Sequence, residues 1–216
     1  MELIPPAKKE LVLAVSVQEK VPLIPPLMAK LLEAATAILG RNGYQATSVD
    51  DILEAAKVAP SNFYYHFKSK EELAIEVLEG YFEKSRQQMG PVFMNRFLSA
   101  TDKLERLHEA LVKKATQAHC CGGCPMGNLA QELSDSHPEF RMRLARYFEE
   151  CIEGIAMVVA QGIQSGEFRE GADPKATAYL IFGSMQGLLL LSKSLKKIDP
   201  LDQGFKQSLN LLKKDR

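Results

Sequence analysis

The sequence predicts an all-α protein in which three short N-terminal helices are joined by a long helix to a larger helical domain. Two observations predict this fold. Apolar residues recur at three- and four-residue steps along most of the chain, which is the period of an amphipathic helix. Strand signals are scarce, since the sequence has no alternating β-branched runs and no Asn-Gly turn flanked by such runs. We divide the chain into an N-terminal extension of unknown role (1–26), a three-helix unit (27–78) and a helical domain (79–216).

Composition and charge exclude several classes of protein. The 216 residues include 27 basic and 27 acidic ones, and 46% are hydrophobic, as in ordinary globular domains. The zero net charge argues against a protein that coats nucleic acid through bulk charge. No window reaches the roughly 18 consecutive apolar residues of a membrane span. The apolar piece Leu11 to Val17 is short for a signal peptide and lacks a clear cleavage site, so we expect a cytoplasmic protein without a membrane partner.

Start and stop signals delimit the three short helices. The apolar stripe from Leu27 to Leu39 predicts a helix that ends at Gly43, because glycine adopts a left-handed cap without steric cost. Thr47 to Asp51 place hydroxyl groups and then acids at a second helix start. Pro60 suits the first turn of a third helix.

A long helix and further amphipathic stretches follow. Ser69 to Glu72 form a capping box that opens the long helix, and Gly90-Pro91 is expected to end it. Asp173 and Asp199 each precede a proline, which is typical of an N-cap. The remaining stretches predict about nine or ten helices in all, at 92–99, 102–118, 125–134, 137–165, 174–196 and 200–213.

The three-helix unit carries the most specific pattern of the chain. The segments Leu31 to Ala35, Gly43-Tyr44, Thr47 to Ile52 and Phe63 to Leu73 resemble, in order and spacing, the TetR (tetracycline-repressor-like) family of transcriptional regulators. The run from Tyr64 to Leu73 is the most specific part. The resemblance implies a helix-turn-helix DNA-binding unit at 27–78, a homodimer on double-stranded operator DNA, no cofactor and no enzymatic activity.

The physical demands of DNA reading agree with this resemblance. A recognition helix brings short polar groups to base edges, and asparagine can pair bidentately with adenine. Tyrosine hydroxyls, imidazole and lysine donate to phosphates. We expect Phe63 and Phe67 to be core residues instead. The predicted DNA-contacting residues are Ser48, Ser61, Asn62, Tyr64, Tyr65, His66 and Lys70.

Two departures from the family pattern shape the expectation. Lys57 stands where the family usually has glycine, which costs up to about 1 kcal/mol if that backbone is left-handed. The unit at 27–78 also contains five basic and seven acidic residues. We therefore expect a narrow DNA-contacting strip and a modest dependence of affinity on salt.

The C-terminal domain is expected to hold a dimer interface and an effector pocket, as the resemblance implies. The predicted interface comprises the last two helices (174–196 and 200–213). One stripe consists of Leu201, Phe205, Leu209 and Leu212, and the other of Leu180, Ile181, Ser184, Leu188 and Leu191. A small apolar effector is expected to contact Phe97, Met126, Phe148, Phe182 and Met185, although such residues are also ordinary core residues.

Three of the four cysteines form a cluster at Cys120, Cys121 and Cys124. Its Gly-Cys-Pro-Met-Gly-Asn-Leu segment resembles a TetR subgroup with a Gly-Cys-x-x-Gly-Asn-Leu signature, in which some relatives respond to electrophiles or oxidants. Pro125 predicts Cys124 at a helix N-cap, where amides and the helix dipole favour a thiolate, and Cys121 has the spacing of a resolving partner. Burial of small thiols, oxidant sensing by Cys121 and Cys124, and zinc binding with His119 all remain open.

The rival functions are a helical redox protein containing a CxxC motif and a zinc-binding interaction module without DNA binding. CxxC oxidoreductases normally use a βαβ setting that this sequence lacks. Glu149, Glu150 and Glu153 lack the Glu-x-x-His partner of a di-metal bundle. The preferred hypothesis is a repressor that a small molecule or cysteine modification releases from a palindromic operator.

Overall fold

The computed structural model describes residues 25–214, and all of its regular structure is helical, as the sequence predicted. The prediction of an extension at 1–26 falls outside these residues except for Pro25 and Pro26. The helices of the described residues are α1 (Pro26–Asn42), α2 (Val49–Ala56), α3 (Pro60–His66), α4 (Lys70–Phe93), α5 (Ala100–Gln117), α6 (Pro125–Leu133), α7 (Pro138–Gln164), α8 (Pro174–Leu195) and α9 (Asp199–Leu212).

Local signals explain where α2, α3 and α4 begin. Ser48 caps α2 in a full capping box with Asp51, and Pro60 occupies the first turn of α3. Ser69 accepts from the amide of Glu72 at the start of α4. The Glu72 carboxylate accepts from the amide of Lys68 instead of Ser69, so only half of the predicted capping box forms. These caps satisfy amides that have no partner within the helix.

The two turns between the first three helices use positive φ angles. Gly43 follows α1 with φ 84° and ψ 176°, which corrects the predicted left-handed cap, because this extended region is essentially restricted to glycine. Lys57 ends α2 with φ 54° and ψ 49°. The left-handed backbone considered for this position is therefore present, with a lysine in place of glycine.

The predicted end of α4 at Gly90-Pro91 is wrong, because the helix continues to Phe93 with Pro91 inside it. Phe93 packs closely against α7, where a Cβ added at Gly154 would lie 3.1 Å from its ring. This tertiary contact holds the last turn of α4 against the local effect of proline. The predicted stretch at 92–99 consequently forms no helix.

Two of the predicted N-caps form in the C-terminal half and one does not. Asp173 caps α8 by accepting from the amide of Ala176, and Cys124 caps α6. Asp199 is instead the first residue of α9. The Ser192 hydroxyl from α8 accepts from the amide of Leu201 and takes over part of the expected capping.

The buried residues form two clusters that do not coincide with the boundary at residue 78. The first combines α1–α4 with Met126, Leu129 and Leu133 of α6 and the N-terminal half of α7. The second combines α5, the C-terminal half of α7, α8 and α9. The helix-turn-helix unit therefore shares one core with α6. A displacement of α6 would alter the packing of side chains in that core.

Among the described helices, α8 meets a length and composition test for a membrane-spanning segment. Pro174–Leu195 passes that test by length and composition, with 33% of its most apolar window buried. Core helices of globular proteins pass the same test. In this fold α8 packs against α7 and α9 on one side and leaves a second apolar side exposed.

Candidate nucleic-acid interface

Helix α3 is attached to the first core by its aromatic residues and presents polar groups outward. Phe63 and Phe67 are completely or almost completely buried, which confirms their prediction as core residues. Tyr64 and Tyr65 are 64% and 84% exposed. Because this short helix has no long apolar face of its own, the two phenylalanines fix the direction in which the tyrosines point.

The exposed face of α3 combines hydroxyl, amide and imidazole groups. Ser61 is exposed, and Asn62 and His66 are half-buried. The Tyr65 ring meets the His66 ring edge-on at 4.9 Å, and Tyr64 packs in the same way against Phe63 at 5.2 Å. Both tyrosines are held by their rings, and their hydroxyl groups remain available to donate to phosphate oxygens.

Ser48 and Lys70 are engaged within the protein. The Ser48 hydroxyl donates to Asp51 Oδ2 and accepts from the amide of Asp51. Lys70 Nζ donates to the backbone oxygens of Tyr44 and Thr47 at 3.0 and 2.8 Å and lies 4.1 Å from the centroid of the Tyr44 ring. The structure thus gives Lys70 a role in holding the turn before α2, which the sequence did not suggest.

Tyr44 and Glu132 form a contact that sequence reasoning missed. Glu132 on α6 accepts from the amides of Tyr44 and Gln45 at 2.9 and 2.5 Å. The Tyr44 ring packs edge-on against His137, which precedes α7, and against Phe140 of α7. No local motif signals this contact, because its partners lie 87 and 88 residues apart in the sequence.

The cysteine loop between α5 and α6 has an unusual backbone. Four of its residues have φ between 49° and 79°, namely His119, Cys120, Gly122 and Gly123. The Asn128 side chain donates to the backbone oxygen of Gly122 at 2.5 Å. This hydrogen bond ties the loop to α6.

The four cysteines occupy different environments. Cys120 is buried, Cys121 is exposed, and Cys124 is half-buried with its Sγ accepting from the amide of Gly127 at 3.4 Å. Lys196 Nζ lies 3.6 Å from Cys121 Sγ. Burial raises the pKa of the Cys151 thiol to about 11, so this thiol forms a thiolate less readily than an exposed cysteine. Between residues 25 and 214 no three His, Cys, Asp or Glu side chains are grouped to hold a metal ion, so zinc binding is not favoured.

The predicted effector residues do not all lie together. The prediction that Phe97 lines the effector pocket is corrected. Its side chain is 90% exposed in the connection between α4 and α5, where the expected helix does not form. Phe148 contacts Phe182 at a ring distance of 5.4 Å, and Met185 belongs to the same second cluster. Met126 is buried in the first cluster. Phe148 also packs against the first cluster and therefore lies where the two cores meet.

Two surface clefts lie elsewhere. One of about 570 Å³ between α5 and α9 is lined by charged residues around His108 and Asp202. The other, of about 330 Å³, lies between the end of α1 and α6, beside Glu132. None of the five predicted effector residues lines either cleft.

The two predicted interface stripes differ in how far they are buried within the protomer. Leu201, Phe205 and Leu209 of α9 are buried within the protomer, so this stripe is core and the expectation that it faces a partner is corrected. Helix α8 keeps an exposed face of large apolar and small residues, consisting of Tyr179, Leu180, Gly183, Ser184, Gly187, Leu190, Leu191 and Leu195. Of the second stripe, Ile181 is buried and Leu188 is half-buried.

Comparison with known proteins identifies the family. Residues 31–77 match the family model described as bacterial regulatory proteins of the tetR family. Residues 100–207, half of the chain, match the model described as the tetracyclin repressor-like C-terminal domain. The repressor DhaR of Mycobacterium sp. strain GP1 is 28% identical over 178 residues, covering 82% of this chain and 88% of DhaR.

Solved structures agree with this assignment at the level of the fold. A TetR regulatory protein from Rhodobacter sphaeroides superposes with a TM-score of 0.80 at 24% identity, covering 85% of this chain and 97% of that one. The reduced form of Escherichia coli NemR gives a TM-score of 0.78 at 18% identity, covering 86% and 96%. The chain therefore belongs to the TetR family and is a DNA-binding transcriptional regulator, not an enzyme.

Proposed function

We propose that this protein is a cytoplasmic homodimeric repressor that binds a palindromic operator and is released by a small molecule or by modification of its cysteine loop. Residues 27–78 read DNA, and residues 79–216 carry the dimer interface and the sensing function. The observation that carries the proposal is the surface of α3. Its two phenylalanines are buried while Tyr64 and Tyr65 are largely exposed, which is the arrangement a reading helix needs.

Ser61, Asn62, Tyr64, Tyr65 and His66 are the proposed direct contacts to DNA, with Asn62 the candidate for base reading. Ser48 and Lys70 join them at the edge of the interface, where their present hydrogen bonds hold the turn that presents α2. Each protomer offers few cations, so we expect log Kd to change modestly with log salt concentration.

The exposed face of α8 is the proposed centre of the dimer interface. Its large apolar side chains flank Gly183, Ser184 and Gly187, which allow two helices to approach closely. The second helix of the interface, α9, contributes through its outer side, where Leu211 is exposed. A four-helix arrangement from two protomers places two α3 helices about one DNA turn, ~34 Å, apart.

A small apolar effector is proposed to insert beside Phe148, Phe182 and Met185. Phe148 lies between the two cores, so a ligand that displaces it alters the packing of the reading unit against the C-terminal domain. Met126, on the first-core side of α6, would feel the same displacement. Release of DNA then follows because the ligand favours the conformation with lower operator affinity.

Modification of Cys121 and Cys124 is the second proposed route to release. Cys121 is exposed beside the Lys196 ammonium group, and Cys124 forms the N-cap of α6. Oxidation to a Cys121–Cys124 disulfide removes one hydrogen from each thiol, transfers two electrons to an oxidant such as diamide, and breaks the cap. The similarity to E. coli NemR, whose structure is described as a reduced form, supports testing this route.

The test is selection of bound DNA from a random pool, followed by affinity measurements on the selected sequence. We expect a palindromic consensus bound by a dimer, with diamide weakening binding of the wild type and leaving Cys124→Ser unaffected. Cys151→Ser serves as the matched control and should respond as the wild type does. Failure of a folded dimer to select any sequence at low salt would contradict the DNA-reading proposal. An equal response of Cys124→Ser to diamide would reject the cysteine route alone.

A further inference from the structure

We propose that Glu132 is a positioning residue that couples α6 directly to the helix-turn-helix unit through the turn between α1 and α2. Its two carboxylate oxygens accept from the amides of Tyr44 and Gln45. Across the described residues, no other side chain of α5–α9 hydrogen-bonds to residues 26–66. Charged acceptors make stronger hydrogen bonds than neutral ones. This contact is therefore the strongest polar link between α5–α9 and the first three helices.

The turn is built around this carboxylate. A Cβ added at Gly43 would lie 2.9 Å from Glu132 Oε2 and 3.3 Å from Oε1. Gly43 also has φ 84°, a conformation that disfavours other residues. Both its backbone angle and the space it leaves therefore serve the approach of Glu132.

The opposite side of the turn is fixed to α4. Lys70 donates to the backbone oxygens of Tyr44 and Thr47, while the Thr47 hydroxyl donates to the oxygen of Gly43. Helix α2 is capped by the next residue, Ser48. A displacement of this turn therefore moves the start of α2, and α3 with it, because the two helices pack in one core.

At its other end, α6 contacts the region proposed to sense signals. A Cβ added at Gly127 would lie 2.6 Å from Gln186 Oε1 of α8, and Cys124 caps the helix. The nine residues of α6 span only about 13 Å at 1.5 Å per residue. One short rigid helix thus has the cysteine loop and α8 at one end and the α1–α2 turn at the other.

A double-mutant cycle tests this coupling without any effector. Gly127→Leu places a side chain between α6 and α8 and displaces α6. Glu132→Gln replaces one acceptor oxygen with an amino group that cannot accept from a backbone amide. With DNA selected as above, we expect Gly127→Leu to change operator Kd at least about fivefold in the wild type, within the usual range of allosteric coupling. In the Glu132→Gln background the change should be at least about twofold smaller, since one of the two hydrogen bonds is lost while the apolar contacts of α6 remain.

Gln131→Ala, one residue away on α6 and exposed, is the control background and should keep the full effect of Gly127→Leu. If Gly127→Leu does not form a folded dimer, Gly127→Ala replaces it in the same cycle. Amide hydrogen exchange at Tyr44 and Gln45 should accelerate in Glu132→Gln, and peptides from α8 should remain unchanged. An equal effect of the Gly127 variant with and without Glu132, or no effect in the wild type, would overturn the proposal. Because no effector or oxidant is used, either result is independent of the sensing hypotheses.

Discussion

Tyr65 shows how a single residue in α3 combines fixed placement with a free polar group. Its side chain is 84% exposed, and its ring is held edge-on by His66 at 4.9 Å. An aromatic ring has few rotatable bonds, so little entropy is lost when its hydroxyl group binds. The residue is therefore suited to contact DNA and contributes little to the stability of the fold.

Tyr65→Phe is expected to weaken binding to the selected operator at least about tenfold, because a hydrogen bond to a charged phosphate contributes about 1.5–3 kcal/mol. The free energy of unfolding should change by less than about 0.5 kcal/mol. Fluorescence anisotropy with labelled DNA and thermal melting measure the two quantities. Tyr179→Phe, an exposed tyrosine on α8, is the control and should bind DNA as the wild type does. Unchanged affinity of Tyr65→Phe would remove Tyr65 from the interface.

At the residue scale, the sequence predicted which side chains of α3 are buried. It did not predict the distant contacts that hold the turn before α2. The alternation of Phe63 and Phe67 with polar residues is a local pattern, and their burial was predictable from it. The contacts of Lys70 with Tyr44 and of Glu132 with the same turn join distant parts of the chain. Such contacts depend on how helices pack, which no local pattern records.

Helix α5 shows how a distant residue completes a helix end. Ser99 caps the helix locally by accepting from the amide of Asp102. The Glu167 carboxylate, from the connection after α7, accepts from the amides of Ala100 and Thr101 at 3.1 and 2.9 Å. Burial disfavours ionisation of this carboxyl, but the hydrogen bonds from Thr101, Ser165 and Ala100 outweigh it and lower its pKa to about 2.

Glu167→Gln is expected to reduce stability at pH 7 by about 1–2 kcal/mol, the usual size of a lost N-terminal cap. Since the pKa of Glu167 is depressed in the folded state, its stabilisation is complete above about pH 4.5 and decreases as the pH falls toward 2. The difference in melting temperature between wild type and variant should therefore shrink from pH 6 to pH 3. Glu109→Gln, exposed on the same helix, is the control. A difference that stays constant with pH would contradict this role.

At the element scale, predictions succeeded where capping is local and failed where tertiary contacts decide. Ser48, Cys124 and Asp173 cap the expected helices. Gly90-Pro91 did not end α4, because Phe93 packs against Gly154 of α7. Asp199 lies inside α9, since Ser192 supplies the hydrogen-bond acceptor from α8.

At the scale of the whole molecule, the most informative feature is the apolar face of α8, which stays exposed in the single protomer. TetR-family regulators act as dimers, and this face offers large side chains beside small residues that permit close approach. Its hydrophobic character was visible in the sequence. Which of the two C-terminal helices faces outward was not, because both carry apolar stripes and only the packing of α9 against α5 and α8 distinguishes them.

Leu191→Lys is expected to shift the dimer toward monomer, since it places a charge in an apolar interface. Sedimentation velocity should show the change, and operator affinity should fall at least about tenfold because one protomer contacts only one half-site. Met142→Lys, on an exposed position of α7, should remain dimeric. A Leu191→Lys variant that stays fully dimeric at low micromolar concentration would place the interface elsewhere.

The close fit between Gly43 and Glu132 also limits how this regulator can be recombined. If residues 27–78 were grafted onto the C-terminal domain of another family member, the amides of Tyr44 and Gln45 would lose their acceptor unless that domain supplied an acid at the same place. If Gly43 were kept without the Glu132 carboxylate, the turn between α1 and α2 would be weaker. The DNA-reading unit therefore cannot be exchanged alone between family members. A functional hybrid must contain α6 of this protein together with residues 27–78.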